Sequence, residues 1–257
     1  MSSLYISTQT YADFQEQVSE TWERDLEYNL LDIEYIGGRW TGVFADNDVD
    51  QVNAYNETAD FATLQSEIQE RWDEGYDIID IEYIDDKWIA LFDNSSTLGG
   101  GAYDLSEDLE EFAEDTQELW NRGYELTNVE YADGNWVSIF NDSLGNSTYS
   151  TRDSLTGLQE AIEMRWEQGF DLVGVEYAEE TWVGVFKEDF YHSSGYSISS
   201  DRGEFNQELA EFTEAGYDLV DFERTGDQWI GVYEKPNSLL SEAREASEGI
   251  DLSLALI

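Results

Sequence analysis

The stretch RWDEGYDIIDIEYIDDKWIALF, residues 71–92, decides the fold because the chain repeats it. Residues 119–140 read LWNRGYELTNVEYADGNWVSIF, and residues 165–186 read RWEQGFDLVGVEYAEETWVGVF. Each copy carries Trp-x-x-Gly-aromatic, then Glu-Tyr, then a second Trp and a Phe. Self-similarity at a fixed period is typical of tandem-repeat proteins, so the phrase is read first as a scaffold.

The period of the repeat is 46–48 residues, given by the second Trp of each copy: Trp40, Trp88, Trp136, Trp182 and Trp229. The first Trp recurs as Trp22, Trp72, Trp120 and Trp166, and the fifth copy has Phe212-Thr213 in that place. We therefore expect one five-repeat domain over residues 1–235, with units near 3–50, 51–99, 100–145, 146–192 and 193–235. A tail, residues 236–257, follows.

Each unit is predicted to be strand, helix, strand, strand. A short β-prone segment carries a lone Tyr, at Tyr5, Tyr55, Tyr103, Tyr149 and Tyr196. Helical spacing follows, with apolar residues at Phe61, Leu64, Ile68 and Trp72 on one stripe. A glycine then ends the helix, as expected for positive φ, at Gly75, Gly123, Gly169 and Gly216. The first copy has Glu27 in that place, so its helix end is expected to differ.

The last two strands of each unit are predicted to form a hairpin. Gly37-Gly38 and Asp133-Gly134 are two-residue hairpin turns, which places Tyr35 opposite Trp40 and Arg224 opposite Trp229. The second residue after each Trp is always small, which indicates close packing: Gly42, Ala90, Ser138, Gly184 and Gly231. We interpret the Trp-Tyr stripe as core between helix and sheet, in preference to a ligand platform.

The predicted fold class is an α/β (α+β) repeat protein, closed into a five-fold pseudo-symmetric, propeller-like ring. The chain begins on a first strand and its repeats end on a hairpin, so the Tyr5 strand is expected to complete the sheet of Trp229. An open array would instead need polar capping units, and neither end repeat has that character. The helix-prone segment in residues 236–257 is followed by a strand-like alternation at Ile250, Leu252, Leu254 and Leu256. It either docks on the last repeat or pairs with another subunit or partner.

The charge of the chain is extreme: 59 acidic residues against 12 basic ones give −47 over 257 residues, or −0.18 per residue. Such a field repels nucleic acid and anionic membranes and attracts cations and basic proteins. Three interpretations stay open: a halophilic-type surface adapted to salty solvent, mimicry of nucleic acid, and cation binding. Only Lys87, Lys187 and Lys235 are lysines, which favours the first.

Several classes of function are made improbable by composition. With no Cys there are no disulfides, no thiolate nucleophile and no Cys-ligated zinc. No apolar run reaches the length of a membrane span and no secretory signal is visible, so a cytoplasmic location is expected. The glycine-rich LGGGAYD, residues 98–104, lacks the Lys and helix of a phosphate loop.

The motif RWDEGYDIIDIEYIDDKW and its sister copies resemble the tandem repeats that follow the kinase domain in plant casein-kinase-like proteins and occur in some bacterial proteins. The resemblance covers most of the chain through a short, degenerate motif. It implies a non-catalytic repeat module. Departures are the acidity, the Glu-Tyr pair and Glu27. The five units also resemble, in architecture, the α/β propeller of amidine-modifying enzymes, whose chemistry needs a Cys that this chain lacks.

Two acidic sets are candidate metal ligands, with calcium as the possible ion and no other cofactor expected. The first is the glutamate of each Glu-Tyr pair, which a closed ring with this strand inward would bring together: Glu34, Glu82, Glu130, Glu176 and Glu223. Crowded like charges raise one another's pKa or recruit a cation. The second has EF-hand-like spacing, without the glycine of that motif: Asp46, Asp48, Asp50 and Glu57. The single histidine, His192, is placed in a surface loop beside Ser193 and Ser194.

The function predicted first is a non-enzymatic, acidic repeat module for protein binding or assembly. Its partner is a basic protein surface, or a second copy through the tail, with no direct nucleic acid and no membrane. The alternatives are a nucleic-acid mimic that binds a basic protein, a calcium-binding protein that uses the ring of glutamates, and a carboxylate-based hydrolase. The hydrolase requires one glutamate with a strongly raised pKa in a cleft.

Overall fold

The computed structural model describes residues 3–24, 28–46, 53–94, 101–142, 145–188, 192–226 and 228–236. Over these ranges the protein consists of five units of mixed α/β structure with the same element order, strand, helix, strand, strand. This confirms the five repeats and their internal order. Asp48, Asp50, Glu27 and the apolar positions of the tail lie outside the described residues.

The elements repeat with nearly constant lengths. The first unit has β1 (Ser3–Thr8), α1 (Tyr11–Arg24), β2 (Tyr28–Ile36) and β3 (Arg39–Asp46). The second has β4 (Asn53–Thr58), α2 (Phe61–Asp73), β5 (Asp77–Ile84) and β6 (Lys87–Asp93). The third has β7 (Gly101–Ser106), α3 (Leu109–Asn121), β8 (Glu125–Ala132) and β9 (Asn135–Asn141). The fourth has β10 (Ser147–Arg152), α4 (Leu155–Glu167), β11 (Asp171–Ala178) and β12 (Thr181–Lys187). The fifth has β13 (His192–Ser199), α5 (Arg202–Glu214), β14 (Asp218–Thr225) and β15 (Gln228–Pro236).

Each unit builds its own antiparallel sheet, in which the third strand lies between the first and the second. The expectation that the Tyr5 strand completes the sheet of Trp229 is therefore wrong. Tyr5 pairs with Val43 of its own unit, and β15 pairs with β13 and β14. The physical reason is the helix between the first two strands, which carries the chain across the sheet so that both strands flank the third.

The hairpin registers follow the turn chemistry. Tyr35 pairs with Trp40 and Arg224 pairs with Trp229, as predicted. The Arg224 guanidinium carbon lies 5.6 Å from the centre of the Trp229 ring, a cation–π distance. Positive φ angles occur at Gly37 and Gly38, and also at four acidic turn residues that sequence reasoning did not single out: Asp85, Asp86, Glu179 and Glu180.

The helices end as the glycine positions predict. Gly75 has φ +87°, and the N–H of Tyr76 donates to the carbonyl oxygen of Arg71 at 2.9 Å, which closes a Schellman-type cap. At the other end of this helix, Asp60 accepts from the N–H of Thr63 at 2.9 Å. The sequence signals for start and stop therefore act through the orphan backbone groups of the helix ends.

The core of each unit lies between its helix and its sheet. In the second unit Leu64 and Ile68 of the helix pack with Trp88 and Phe92 of the third strand. The small residue two positions after the hairpin Trp makes room for the helix, as at Gly42 and Gly184. A Cβ on Gly184, for example, would lie 3.1 Å from Cδ1 of Leu158.

The Trp at the end of each helix lies at the junction with the next unit, which differs from the predicted core position. Its ring packs on the Tyr of the next first strand in four pairs: Trp22–Tyr55, Trp72–Tyr103, Trp120–Tyr149 and Trp166–Tyr196. Trp166 is 37% exposed. These side chains therefore connect the units in series.

The second strands of adjacent units contact one another along the series β2, β5, β8, β11 and β14. The second strand of the fifth unit, β14, also contacts β2 of the first. No helix among the described residues is long and apolar enough to cross a membrane.

A serine at the junction of the third and fourth units predicts a measurable contribution to stability. The Ser147 hydroxyl accepts from Trp120 Nε1 at 2.9 Å and from the Leu126 N–H at 2.7 Å, and it donates to Glu125. Ser147→Ala leaves both donors without their acceptor, so we expect a loss of about 1–3 kcal/mol in the free energy of unfolding. Denaturant titration measures it.

The control is Ser66→Ala on the exposed face of α2, where the hydroxyl bonds only to the carbonyl of Ala62 in its own helix. It should change stability by less than about 0.5 kcal/mol. Equal effects for the two variants would contradict a junction role for Ser147.

Candidate metal centre

The five glutamates of the Glu-Tyr pairs come together. Their side chains project from the second strands, and each lies close enough to others of the set to interact with them electrostatically. Glu34 interacts with Glu82 and with Glu223, which joins the first unit to the second and to the fifth. Glu130 interacts with Glu82 and Glu176. The structure therefore gathers the predicted set in one place, where Glu130, Glu176 and Glu223 are buried and Glu34 and Glu82 are half-buried.

A second tier of side chains, which sequence reasoning missed, lies two residues before each glutamate. Its members are Asp32, Asp80, Asn128, Gly174 and Asp221. The three aspartates add to the five glutamates, so eight carboxyl groups share this region. The signal in the sequence was the period of two along the strand, which places residues i and i+2 on one face.

The second strand of each unit contains a β-bulge, which sets the face of the strand on which these side chains lie. In β5 the pairing register shifts between Ile78, opposite Phe92, and Asp80, opposite Leu91, and the same shift recurs in the other four units. Because the bulge inserts one residue, Ile78 and Ile81 both face the helix, and Asp80 faces the neighbouring second strands.

The aspartates hold neighbouring second strands together. Asp80 accepts from the backbone N–H groups of Ile33, in the first unit, and Ile81. Asp221 accepts from the Val175 N–H of the fourth unit at 2.6 Å. Asp32 accepts from the Phe222 N–H of the fifth unit. These bonds fix one oxygen of each carboxyl group and so orient the other.

Three oxygens of the cluster are buried without any hydrogen-bond partner among the described residues: Oδ2 of Asp32, Oδ2 of Asp80 and Oε1 of Glu82. Asp80 is 1% exposed and Asp32 is 5% exposed. A buried polar atom normally has a partner, because leaving it without one is costly. These oxygens therefore point to a proton or a cation that the protein chain does not supply.

Two groups of three carboxylates have the spacing of metal ligands. One is Asp32, Glu34 and Glu82, and the other is Asp80, Glu82 and Glu130; within each group one oxygen per residue lies within 4.8 Å of the others. Calcium binds oxygen at 2.3–2.6 Å, so two of its ligands are at most about 4.6–5.2 Å apart. All-carboxylate ligands suit hard cations such as Ca²⁺ or Mg²⁺.

The pKa values of the cluster reflect carboxyl groups that are buried without compensating positive charge. Burial is the largest cause that raises the pKa of Glu34, Glu82, Glu130 and Glu176 well above the ordinary value, and the neighbouring carboxylates raise it further. Burial also raises the pKa of Asp80 to about 7 and that of Asp221 to about 8. Without a cation, the cluster therefore keeps protons near neutral pH.

The EF-hand-like set is not assembled within the described residues. Asp46 ends β3 and its side chain is not described, and Asp48 and Asp50 lie outside the described ranges. The Glu57 carboxylate forms an ion pair with Lys87 of the neighbouring strand. Glu57 is therefore already engaged by a cationic side chain.

His192 begins a strand, so its expected position in a loop is wrong: it pairs with Pro236 at the edge of the fifth sheet. The Ser194 hydroxyl has hydrogen-bond partners equivalent to those of the Ser147 hydroxyl. Its hydroxyl accepts from Trp166 Nε1 at 2.9 Å and from the Leu172 N–H at 3.0 Å. These bonds occupy Ser194 in joining two units.

A cleft of about 360 Å³ between the second and third units holds a different carboxyl pair. Asp104 and Asp115 are hydrogen-bonded there, and burial followed by this bond raises the pKa of Asp104 to about 7. Trp72 and Arg122 line the same cleft. The hydrolase alternative stays a prediction. Asp104, which lies outside the glutamate set, is a carboxyl group of raised pKa that lines a cleft.

Comparison of the chain with protein-family models, with curated proteins and with solved structures gave no match. The resemblance to the repeats of plant casein-kinase-like proteins therefore stays a prediction, and function is argued from the site.

The buried carboxyl groups predict that stability falls as pH rises when divalent cations are removed. Folded Asp80 and Asp221 release protons near pH 7 and 8, whereas an unfolded aspartate does so near pH 3.9. Between these values the folded state binds more protons, so the free energy of unfolding decreases with pH. In chelator, we expect a Tm at pH 8.5 at least about 2–4 °C below that at pH 5.5, equivalent to about 1 kcal/mol.

The controls for this pH series are two Glu→Gln variants. Glu130→Gln removes a buried carboxylate and should flatten the dependence, and Glu163→Gln, on the exposed face of α4, should leave it unchanged. A wild-type Tm that is constant or rises from pH 5.5 to 8.5 would contradict the prediction.

Proposed function

We propose that the protein is a non-catalytic, acidic binding module. Its five units close into a ring, and the carboxylates of the second strands, around the ring axis, bind a hard divalent cation, with Ca²⁺ as the best-fitting ion. The observation that carries the proposal is the set of three buried oxygens without partners on Asp32, Asp80 and Glu82, three residues that belong to groups with metal-ligand spacing.

Closure is supported by equivalent packing of Ile84 at the junction of the first and second units and of Ile36 at the junction of the fifth and first. Ile84, at the end of the second strand of unit two, joins the hydrophobic cluster of unit one. Ile36, its equivalent in unit one, joins the cluster of unit five with Phe222 and Trp229. The bond from the Phe222 N–H to Asp32 crosses the same junction. First and fifth units thus meet as sequential neighbours do.

Cation binding is supported by the balance of charge in the cluster. Burying a carboxylate without compensation costs several kcal/mol, and like charges nearby add to that cost. A bound dication neutralises two charges and supplies the partner that the free oxygens lack. Calcium accepts irregular oxygen ligands at 2.3–2.6 Å, whereas magnesium demands near-ideal octahedral geometry at 2.0–2.1 Å. A ligand set built from several units favours the more tolerant ion.

For the outer surface we propose the role predicted from the sequence, which is to bind a basic protein partner. With 12 basic residues for 59 acidic ones, most surface carboxylates have no cationic side chain to pair with. A basic partner would compensate them, as counterions do in solution.

Ring closure predicts that Ile36→Ala is as destabilising as Ile84→Ala. Both side chains are buried, 7% and 5% exposed, and truncation of a buried isoleucine costs about 2–5 kcal/mol. In an open array Ile36 would lie on a terminal surface, where the cost is within about 0.5 kcal/mol. Denaturant unfolding of both variants tests this; a neutral Ile36→Ala beside a destabilised Ile84→Ala would overturn closure.

Calcium is predicted to raise the Tm of the chelator-stripped protein at pH 7.5 and fixed ionic strength. At a free concentration of about 100 times Kd, the stabilisation is about 2.7 kcal/mol. Asp80→Asn has two expected effects of opposite sign. It should raise the cation-free Tm, since it removes a buried charge, and it should lose most of the calcium increment.

The matched control is Glu163→Gln, which should keep the full calcium increment. A KCl series at equal ionic strength separates specific binding from screening of the acidic surface. The proposal fails if calcium and KCl raise the Tm equally, or if Asp80→Asn keeps the wild-type increment.

A further inference from the structure

The two groups of metal-ligand spacing share one residue, Glu82. Asp32 and Glu34 complete the first group from unit one, and Asp80 and Glu130 complete the second from units two and three. Each group contains one aspartate that has a buried oxygen without a partner, and the shared Glu82 has the third such oxygen. The free acceptors are thus divided between two overlapping positions.

When all five carboxylates are ionised, the charges of these two groups exceed what one dication neutralises. Asp32, Glu34, Asp80, Glu82 and Glu130 carry five negative charges when ionised. One dication leaves −3 in a buried region, and two leave −1. A carboxylate with one oxygen on each ion bridges metals about 3.5–4 Å apart in two-metal sites. Glu82 is placed to be that bridge, because it is the residue that the two groups share.

The remaining carboxyl groups of the cluster, like the bonded pair Glu82 and Glu130, have hydrogen-bond partners within the protein. Glu176 and Glu223 are hydrogen-bonded to each other, and Glu223 also accepts from the N–H groups of Tyr177, at 3.4 Å, and Arg224. Asp221 accepts from the N–H of Val175 at 2.6 Å. Among the described residues, units four and five therefore show no buried carboxylate oxygen of the cluster without a partner.

The aspartate position is also altered in units three and four. Asn128 donates through Nδ2 to Oδ1 of Asp80 at 3.3 Å. At Gly174 a Cβ would lie 3.3 Å from Oδ2 of Asp221 and 3.4 Å from Oδ1 of Asn128, so neighbouring side chains fill that place. At these two positions, which border the two groups of carboxylates, the repeat therefore lacks the negative charge of an aspartate.

We infer that the axial cluster is a two-cation centre, in which Glu82 bridges two hard divalent ions held by Asp32 and Glu34 on one side and by Asp80 and Glu130 on the other. The inference rests on the proposed function and specifies its stoichiometry and location. Because both ions share Glu82, the first ion orders a ligand of the second, and binding is coupled.

The deciding measurement is the number of calcium ions per chain. Chelator-stripped, full-length protein at pH 7.5 is titrated with CaCl₂ by calorimetry, and the count is read independently by native mass spectrometry. We expect two ions per wild-type chain. A count of one overturns the two-cation centre and leaves the proposed function intact; a count of zero overturns both.

Variants locate the two ions. Glu34→Gln and Glu130→Gln should each leave one ion per chain, and Glu176→Gln should keep two. Glu82→Gln should weaken both, by at least about 10-fold. If Glu82→Gln fails to fold, Glu82→Asp, which keeps the charge and shortens the reach, serves in its place. Loss of a single ion from the Glu82 variant, or of both from Glu130→Gln alone, would overturn the bridge.

Discussion

Contact between the second strands of neighbouring units is the constraint on which the structure depends. It buries the same side-chain positions five times in one region, and at one of them the repeat has a glutamate. Like charges are thereby forced together at low dielectric, where the interaction is strongest. The arrangement needs compensation by protons, by backbone donors or by cations, and the structure supplies the backbone donors itself.

The apolar packing between units offsets this cost. Four junctions place a helix-end Trp on the Tyr of the next unit, and Ile84, at the end of a second strand, packs in the cluster of the preceding unit. This hydrophobic burial supplies stability, while the second strands also carry the carboxylates.

Much of the fold was predictable because its signals are local. Hairpin turns fix register, so Tyr35 opposite Trp40 follows from Gly37-Gly38, and positive φ at Gly75 follows from its place after the helix. The sheet partner of Tyr5 was not predictable in this way, since either its own hairpin or the last one satisfies the same pattern. Packing of whole units decides between them, and sequence periodicity does not report it.

The site, too, was predictable from the sequence only in part. The repeated glutamates stand out because all five copies have them, and their convergence follows once the second strands meet. Asp32, Asp80 and Asp221 were overlooked because Asn128 and Gly174 interrupt the pattern, although each lies two residues before a glutamate and on the same face. That interruption has a physical meaning. Five identical aspartates would add two more charges to a region that already lacks partners for three oxygens, so loss of symmetry here limits the negative charge that is buried.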